Sequence, residues 1–324
     1  MAGPARLPHN SVASPQVSLQ TYPLTPTPPL PRSGILALIA LIAVWGYTWV
    51  ILKEGVRFAD PWDYATLRTL PGAALLFILA AWRGESLALR SPRHVFILGL
   101  WQTAFFNALV SWALVSGAAG KTAVLVFTMP FWTMLIAWPV LGERIRGTQW
   151  LAVALSAAGL LLVIEPWTLQ GTLVANTLAV LTGICWAVAA VLTRRWRNHL
   201  AVGTFALTAW QMLLGGLVLA VSGYFLSSRP VQWTPYFMFL IAYATIFGTV
   251  LGWALWFYVL KLLPAGIAGL AVMGVPAVGV LSSRLQLGEQ PGPVESAGML
   301  LIGASIAVLS WTALRKRATG SPGP

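Results

Sequence analysis

Acidic residues are scarce in this chain, with eight Asp and Glu against twenty Lys and Arg among 324 residues. Charged residues of both signs make up only 9% of it, where soluble domains carry about 25%. That scarcity excludes a water-soluble fold. Cysteine occurs once, as Cys185 within an apolar stretch, which excludes an intramolecular disulfide and any multi-cysteine metal site. The three histidines, His9, His94 and His199, lie in the N-terminal tail or at the ends of apolar stretches. They lack ligand spacing, so no metal site is expected, and no cofactor motif is present. No phosphate-binding loop occurs, which argues against ATP-driven work. The His, Asp or Ser clusters that a membrane-embedded transferase would need are also missing, so an enzyme is not expected.

Apolar sequence fills the space left by charge. Hydrophobic residues make up 58% of the chain, with a mean hydropathy of +0.78, as in an integral membrane protein. The net charge of +12 does not imply nucleic-acid binding, because the cations form no patch and sit between apolar segments. Residues 1–33 hold eight prolines and no apolar run, so they read as a disordered, Pro-rich cytoplasmic tail without a signal-peptide core. Residues 315–324 read as a basic cytoplasmic tail.

A bilayer core needs about 20 apolar residues in a helix. Ten stretches meet that length, at 34–53, 62–82, 94–115, 120–141, 147–164, 171–193, 203–225, 235–260, 264–285 and 293–313. Short connections predict that consecutive helices are antiparallel neighbours. With the N-terminus inside, fourteen Lys and Arg fall in cytoplasmic segments and five in outer ones, with Arg68 inside a span. The positive-inside rule then places both termini in the cytoplasm.

The chain also repeats itself. A constant shift of 146 residues carries Pro130 onto Pro276, Leu141-Gly142-Glu143 onto Leu287-Gly288-Glu289, and Ala119-Gly120 onto Ala265-Gly266. Each unit holds five helices, an odd number, so the second enters from the opposite face. The expected fold is an all-α integral membrane protein, with ten transmembrane helices as two inverted five-helix repeats.

These marks, with Trp45 in the first helix and Leu67-Arg68 in the second, resemble the drug/metabolite transporter superfamily. The likeness is to its ten-helix branch with two EamA-like domains, over about residues 34–314. The resemblance implies five-helix domains at 34–165 and 171–314, a central cavity between them, and transport of a small metabolite, often export of amino acids or related compounds. One departure is that Trp210-Gln211 stands near the position of Arg68 in the second unit, so the arginine occurs once.

Several residues are candidates for the mechanism. Pro130 and Pro276 sit mid-span and each frees the carbonyl four residues back, at Val126 and Val272. They read as cavity-shaping gating kinks or as static ones. Glu143, beside Arg144, and Glu289, near Arg284, end matched helices and read as gate charges or as plain interfacial carboxylates. Arg68 reads as a substrate-carboxylate site, or as a cation that snorkels outward or binds carbonyls freed by Pro71. No acid lies at mid-depth, so proton exchange on a buried carboxylate has no seat.

Of the seventeen tryptophans, seven fall at span ends as an interfacial belt requires. Trp45 and Trp186, equivalently placed in the first helices of the two units, are the favoured cavity residues. Gln102, Asn107, Gln211 and Tyr243 are the further binding candidates, with Gln102 and Asn107 reading also as hydrogen-bond glue between helices. Gln102 and Asn107 lie five apart, about 140° around an α-helix, and are not expected to address one point. Ala152/Ser156 and Gly303/Ala307, on the last helix of each unit, are expected to pack together behind the cavity.

The function expected is secondary transport, in the export direction, of a small organic metabolite such as an amino acid across the inner or plasma membrane. The partners are a small-molecule substrate and the lipid bilayer, and the carrier acts as a monomer or homodimer. Efflux of cationic drugs, held by cation–π contact with tryptophans, is the alternative within the class.

Overall fold

The computed structural model describes residues 31–145, 147–168, 172–200, 202–263, 268 and 272–318. Residues 1–30 of the expected tail, Arg146, the Ala265-Gly266 pair and residues 319–324 lie outside these. Every regular element among the described residues is helical. In chain order these are α1 (Arg32–Gly55), α2 (Pro61–Trp82), α3 (Pro92–Ser116), α4 (Ala119–Val126), α5 (Met129–Leu141), α6 (Thr148–Ile164), α7 (Leu173–Arg195), α8 (Thr204–Leu226), α9 (Pro235–Leu262), α10 (Gly274–Leu287) and α11 (Pro293–Ala318). Helix α11 runs on through Arg315 to Arg317, the first residues of the expected basic tail.

Helices α1, α2, α3, α7, α8 and α9, and α4 taken with α5, make seven segments long and apolar enough to cross a membrane. Thr148–Ile164 and Pro293–Val308 are shorter apolar helices. Large apolar side chains such as Leu36, Ile78, Leu285 and Leu300 stand exposed on the outside, where only lipid would solvate them without cost. The chain is a multi-pass helical membrane protein.

Helix partners do not follow chain order. The main pairings are α6 with α11, α2 with α8, and α1 with α10, none of them between helices consecutive in the chain. Small residues decide these contacts. In α6 and α11, a Cβ on Gly159 would lie 2.8 Å from the Gly298 carbonyl, and one on Gly298 would lie 2.8 Å from that of Gly159. The expected stripe is half right. Ala152 and Ser156 are buried, whereas Gly303 has open space around it and Ala307 is exposed. The turn of α11 that presents Gly298, Ile302, Ser305 and Ile306 inward points Gly303 and Ala307 outward.

Acid side chains tie the ends of the α2–α8 pair. Asp60 caps α2 through the Trp62 amide (3.2 Å) and also accepts from the amide and hydroxyl of Ser228, both 3.1 Å away, just past α8. At the other end, Glu85, just past α2, accepts from the Ala206 amide (2.9 Å) in the first turn of α8. Between them Ala73, Leu76 and Ala80 pack on Phe205, Ala209 and Met212.

The Leu-Gly-Glu triplets are helix stops. Gly142 (φ +73°) and Gly288 (φ +70°) end α5 and α10 in the left-handed conformation, which costs little without a Cβ. The following glutamate amide then reaches back in the same way in both. Glu143 donates to Ala137 and Glu289 to Ser283, each at 3.4 Å.

Pro130 and Pro276 do not interrupt continuous helices. Each lies in the first turn of its helix, α5 or α10, where the missing donor is no loss. The chain breaks just before them, at Phe127-Thr128 and Val272-Met273. The two carbonyls expected to be freed differ in their surroundings. Val272 accepts from the Val275 amide at 2.9 Å, and Val126 stands against Gly183 of α7, where an added Cβ would come within 2.8 Å.

Candidate functional site

A cavity of about 140 Å³ opens among α1, α2, α3, the α4–α5 break, α7, α8, α9 and α10. Helices α6 and α11 contribute nothing to it. Trp45, Thr48, Trp49 and Leu52 come from α1, Arg68 from α2, and Gln102, Thr103, Phe106, Asn107 and Val110 from α3. Val126, Phe127 and Met129 flank the break, Trp186 comes from α7, and Thr208, Gln211 and Met212 from α8. Gly248, Thr249 and Trp253 of α9 and Val275 of α10 close it.

Six of the seven expected binding residues therefore meet in one place: Trp45, Arg68, Gln102, Asn107, Trp186 and Gln211. Tyr243 does not. Its ring packs on Tyr47 (5.5 Å between centroids) and Phe247 (5.1 Å), away from the cavity.

A local distortion explains why Gln102 and Asn107 share the site despite their spacing. Residues Leu100–Phe105 form a π segment inside α3. In a π turn the hydrogen bonds run five residues along, so side chains five apart come onto one face. A second π segment, Ala244–Leu251, interrupts α9, and the 146-residue shift carries 100–105 onto 246–251 inside it. Side chains take up carbonyls at both places. The Asn107 amide donates to Thr103 O (2.8 Å), and the Thr249 hydroxyl to Ala244 O (3.0 Å).

The aromatic wall is continuous. Trp186 stacks parallel on Trp253, with centroids 5.9 Å apart and planes at 5°. Trp45 meets the same Trp253 edge-on at 6.1 Å, and Phe106 meets Trp186 at 5.2 Å. Trp45 Nε1 donates to the Gly248 carbonyl at 3.1 Å, holding its ring on the π segment. Trp253 joins the two favoured tryptophans, yet periodicity alone did not separate it from its neighbours. Thr103 and Thr249 were also passed over, although the repeat shift superimposes them and would have found them.

Arg68 is buried, 8% exposed. It neither snorkels outward nor bonds the carbonyl of Leu67. Its Nη2 donates to Asn107 Oδ1, and its Nε has no partner among the described residues.

The two gate candidates differ. Glu289 reaches α4, where its two oxygens accept from the amides of Ala119 (2.7 Å) and Gly120 (3.1 Å). Glu143 forms a forked ion pair with Arg194 of α7 instead of its neighbour Arg144, with Nη1 3.3 Å from Oε2.

A helical membrane protein with a mixed polar and aromatic cavity among its helices fits the class of solute carriers, and comparison with known proteins bears on that class. The EamA-like transporter family model matches residues 32–165 and again 173–311. The chain belongs to the EamA-like transporter family, within the drug/metabolite transporter superfamily. It is similar to "Uncharacterized transporter YoaV" of Bacillus subtilis (strain 168), 25% identical over 87% of this chain and 98% of that protein. It is also similar to "Uncharacterized inner membrane transporter YedA" of Escherichia coli (strain K12), 28% identical over 82% and 86%. A solved structure described as "Crystal structure of protein" aligns with TM-score 0.61 over 87% of this chain and 98% of its own, at 19% identity. That likeness concerns the fold alone.

Proposed function

We propose that the chain is a secondary transporter that exports a small organic metabolite, such as an amino acid, by alternating access of two inverted five-helix repeats among ten membrane-spanning helices. The observation that carries this reading is that the cavity is lined from both repeats at matched positions. Thr103 and Thr249, Gln102 and Gly248, Asn107 and Trp253, and Met129 and Val275 all line it, and each pair is related by the 146-residue shift. A site built from corresponding parts of two units can open to one face and then the other as the units exchange roles. Helix pairing supports the same view, because α1 packs on α10 while α7 packs on α5, the contact expected when the units are interchanged. The aromatic wall and scattered hydroxyl and amide groups suit a small, partly apolar solute. The excess of basic residues on one set of loops supports cytoplasmic termini.

Counterflow of radiolabelled amino acids and related metabolites in proteoliposomes, against matched empty vesicles, tests this. Movement of at least one solute, lost when Trp186 is changed to Ala, is expected. No movement of any labelled solute in either direction would sink the carrier reading.

A further inference from the structure

Among the described residues, the cavity is lined by one charged side chain and by none of opposite sign. Arg68 is buried, with a relative exposure of 8%. Its polar partners among the described residues are neutral: Asn107 Oδ1 accepts from Nη2, the Thr245 hydroxyl donates to its main-chain carbonyl, and Tyr64 lies under the guanidinium with its ring centroid 6.0 Å away. Nε has no partner among the described residues, and no carboxylate lines the cavity. Arginine cannot shed its proton to escape such a site, as a lysine can. A buried cation held by one amide oxygen is under-compensated, because a carbonyl dipole does not replace a counter-charge. Asn107 is itself held in orientation by its bond to Thr103 O at 2.8 Å, so its oxygen stays aimed at Arg68 and cannot turn away to serve a ligand.

Resting on the transporter reading above, we propose that the cavity takes a net-anionic organic carboxylate with a flat apolar body, its carboxylate completing the shell of Arg68 and its body lying against the Trp186–Trp253 wall. The guanidinium fork matches a carboxylate geometrically. The volume of about 140 Å³ is close to that of an apolar cavity that admits benzene, about 150 Å³, so one small ring fits. A cation would gain contact with the indole faces but would meet the uncompensated Arg68. An amino acid would satisfy Arg68 and leave its ammonium without an acid partner.

The test uses the purified full-length chain in detergent, read by tryptophan fluorescence and thermal unfolding, with four ligands of similar size. 3-Phenylpropionate is expected to quench the fluorescence and raise the melting temperature. 3-Phenylpropan-1-ol and 3-phenylpropylamine are expected to bind at least tenfold more weakly, and phenylalanine to fall between them and the acid. Asn107→Asp sets a carboxylate against Arg68, so it is expected to weaken binding of the acid at least tenfold. Arg68→Lys, which keeps the charge without the fork, is expected to retain weakened binding. Amine or phenylalanine binding as tight as the acid would overturn the proposal. So would protection by chloride alone that 3-phenylpropionate cannot increase. The ligand comparison uses unaltered protein, so misfolded variants cannot rescue the idea. Binding is read without flux: acid that binds but never crosses proteoliposome membranes counts against transport and leaves the anion site standing. Flux of other solutes without preference for the acid removes the anion site alone.

Discussion

Glu289 caps the helix that begins at Ala119, a residue 170 positions earlier in the chain. Its carboxylate takes both the Ala119 and Gly120 amides, two of the donors that a helix start leaves without partners. The negative charge also faces the positive end of the helix dipole. Glu143 occupies the matched position in the first unit but spends its carboxylate on Arg194. Two equivalent acids thus hold different kinds of partner in this structure.

Removing the cap is expected to cost stability. Glu289→Ala should lower stability by about 1 kcal/mol, within the usual range for a lost N-cap. Glu289→Gln, which keeps one acceptor oxygen, should cost less. Thermal unfolding in detergent checks both, and an unchanged midpoint for the alanine variant would remove the cap from the account.

The Glu143–Arg194 pair is expected to matter less. Its side chains are 32% and 53% exposed, and exposed pairs contribute about 1 kcal/mol or less. A double-mutant cycle at low and high salt should give a small coupling that shrinks as salt rises. A coupling larger than the Glu289 effect would reverse this ranking.

The α6–α11 crossing predicts opposite outcomes for two glycines on one helix. Gly298→Leu would drive its side chain into the Gly159 carbonyl and Val163, and well-folded protein should not be recovered. Gly303→Leu faces open space and should express and melt as the parent does. Size-exclusion profiles distinguish the two, and equal behaviour would mean that the helices meet elsewhere.

Gly183 makes room for the Val126 carbonyl at the helix break. Gly183→Ala would bring a Cβ to 2.8 Å from that oxygen, so α7 must move away from the cavity edge. Lower thermal stability and weaker solute binding should appear together. A variant that melts normally would show that the break relaxes freely.

The tryptophan wall predicts graded losses. Trp45→Phe keeps most of the ring but gives up the bond to Gly248 O, a loss of about 1 kcal/mol for one hydrogen bond. Trp253→Ala removes the ring touched by both Trp45 and Trp186, and solute flux should fall further than in Trp45→Phe. Initial rates in vesicles, normalised to the amount of protein, provide the comparison.

Much of the site was legible before any coordinates. Trp45 and Trp186 stood at roughly equivalent places in the first helices of two units, and Arg68 was the one charge within a span. Scarce polar residues at mid-depth, Gln102, Asn107 and Gln211, were the groups available to a pocket, although Gln102 and Asn107 read equally as hydrogen-bond glue between helices. Tyr243 met the same criterion and failed, because depth in a span says nothing about which way a side chain points. The spacing of Gln102 and Asn107 misled for a related reason: it assumes an unbroken α-helix, and the π segment is invisible to a fixed angle per residue. Proline positions marked where the fourth and ninth stretches are interrupted, but not that the chain turns two to four residues earlier and leaves each proline in the first turn of a helix.

Composition and periodicity determined the apolar helices, because a chain with so few charges can satisfy its backbone only within itself in lipid. They also determined the helix stops, since Gly142 and Gly288 suit a left-handed turn that other residues resist. Tertiary structure alone decided who meets whom: α6 with α11 through Gly159 and Gly298, Glu289 with Ala119, and Arg68 with Asn107. Those contacts join residues far apart in the chain. They depend on helix rotation and close backbone approach, which local sequence does not encode one residue at a time.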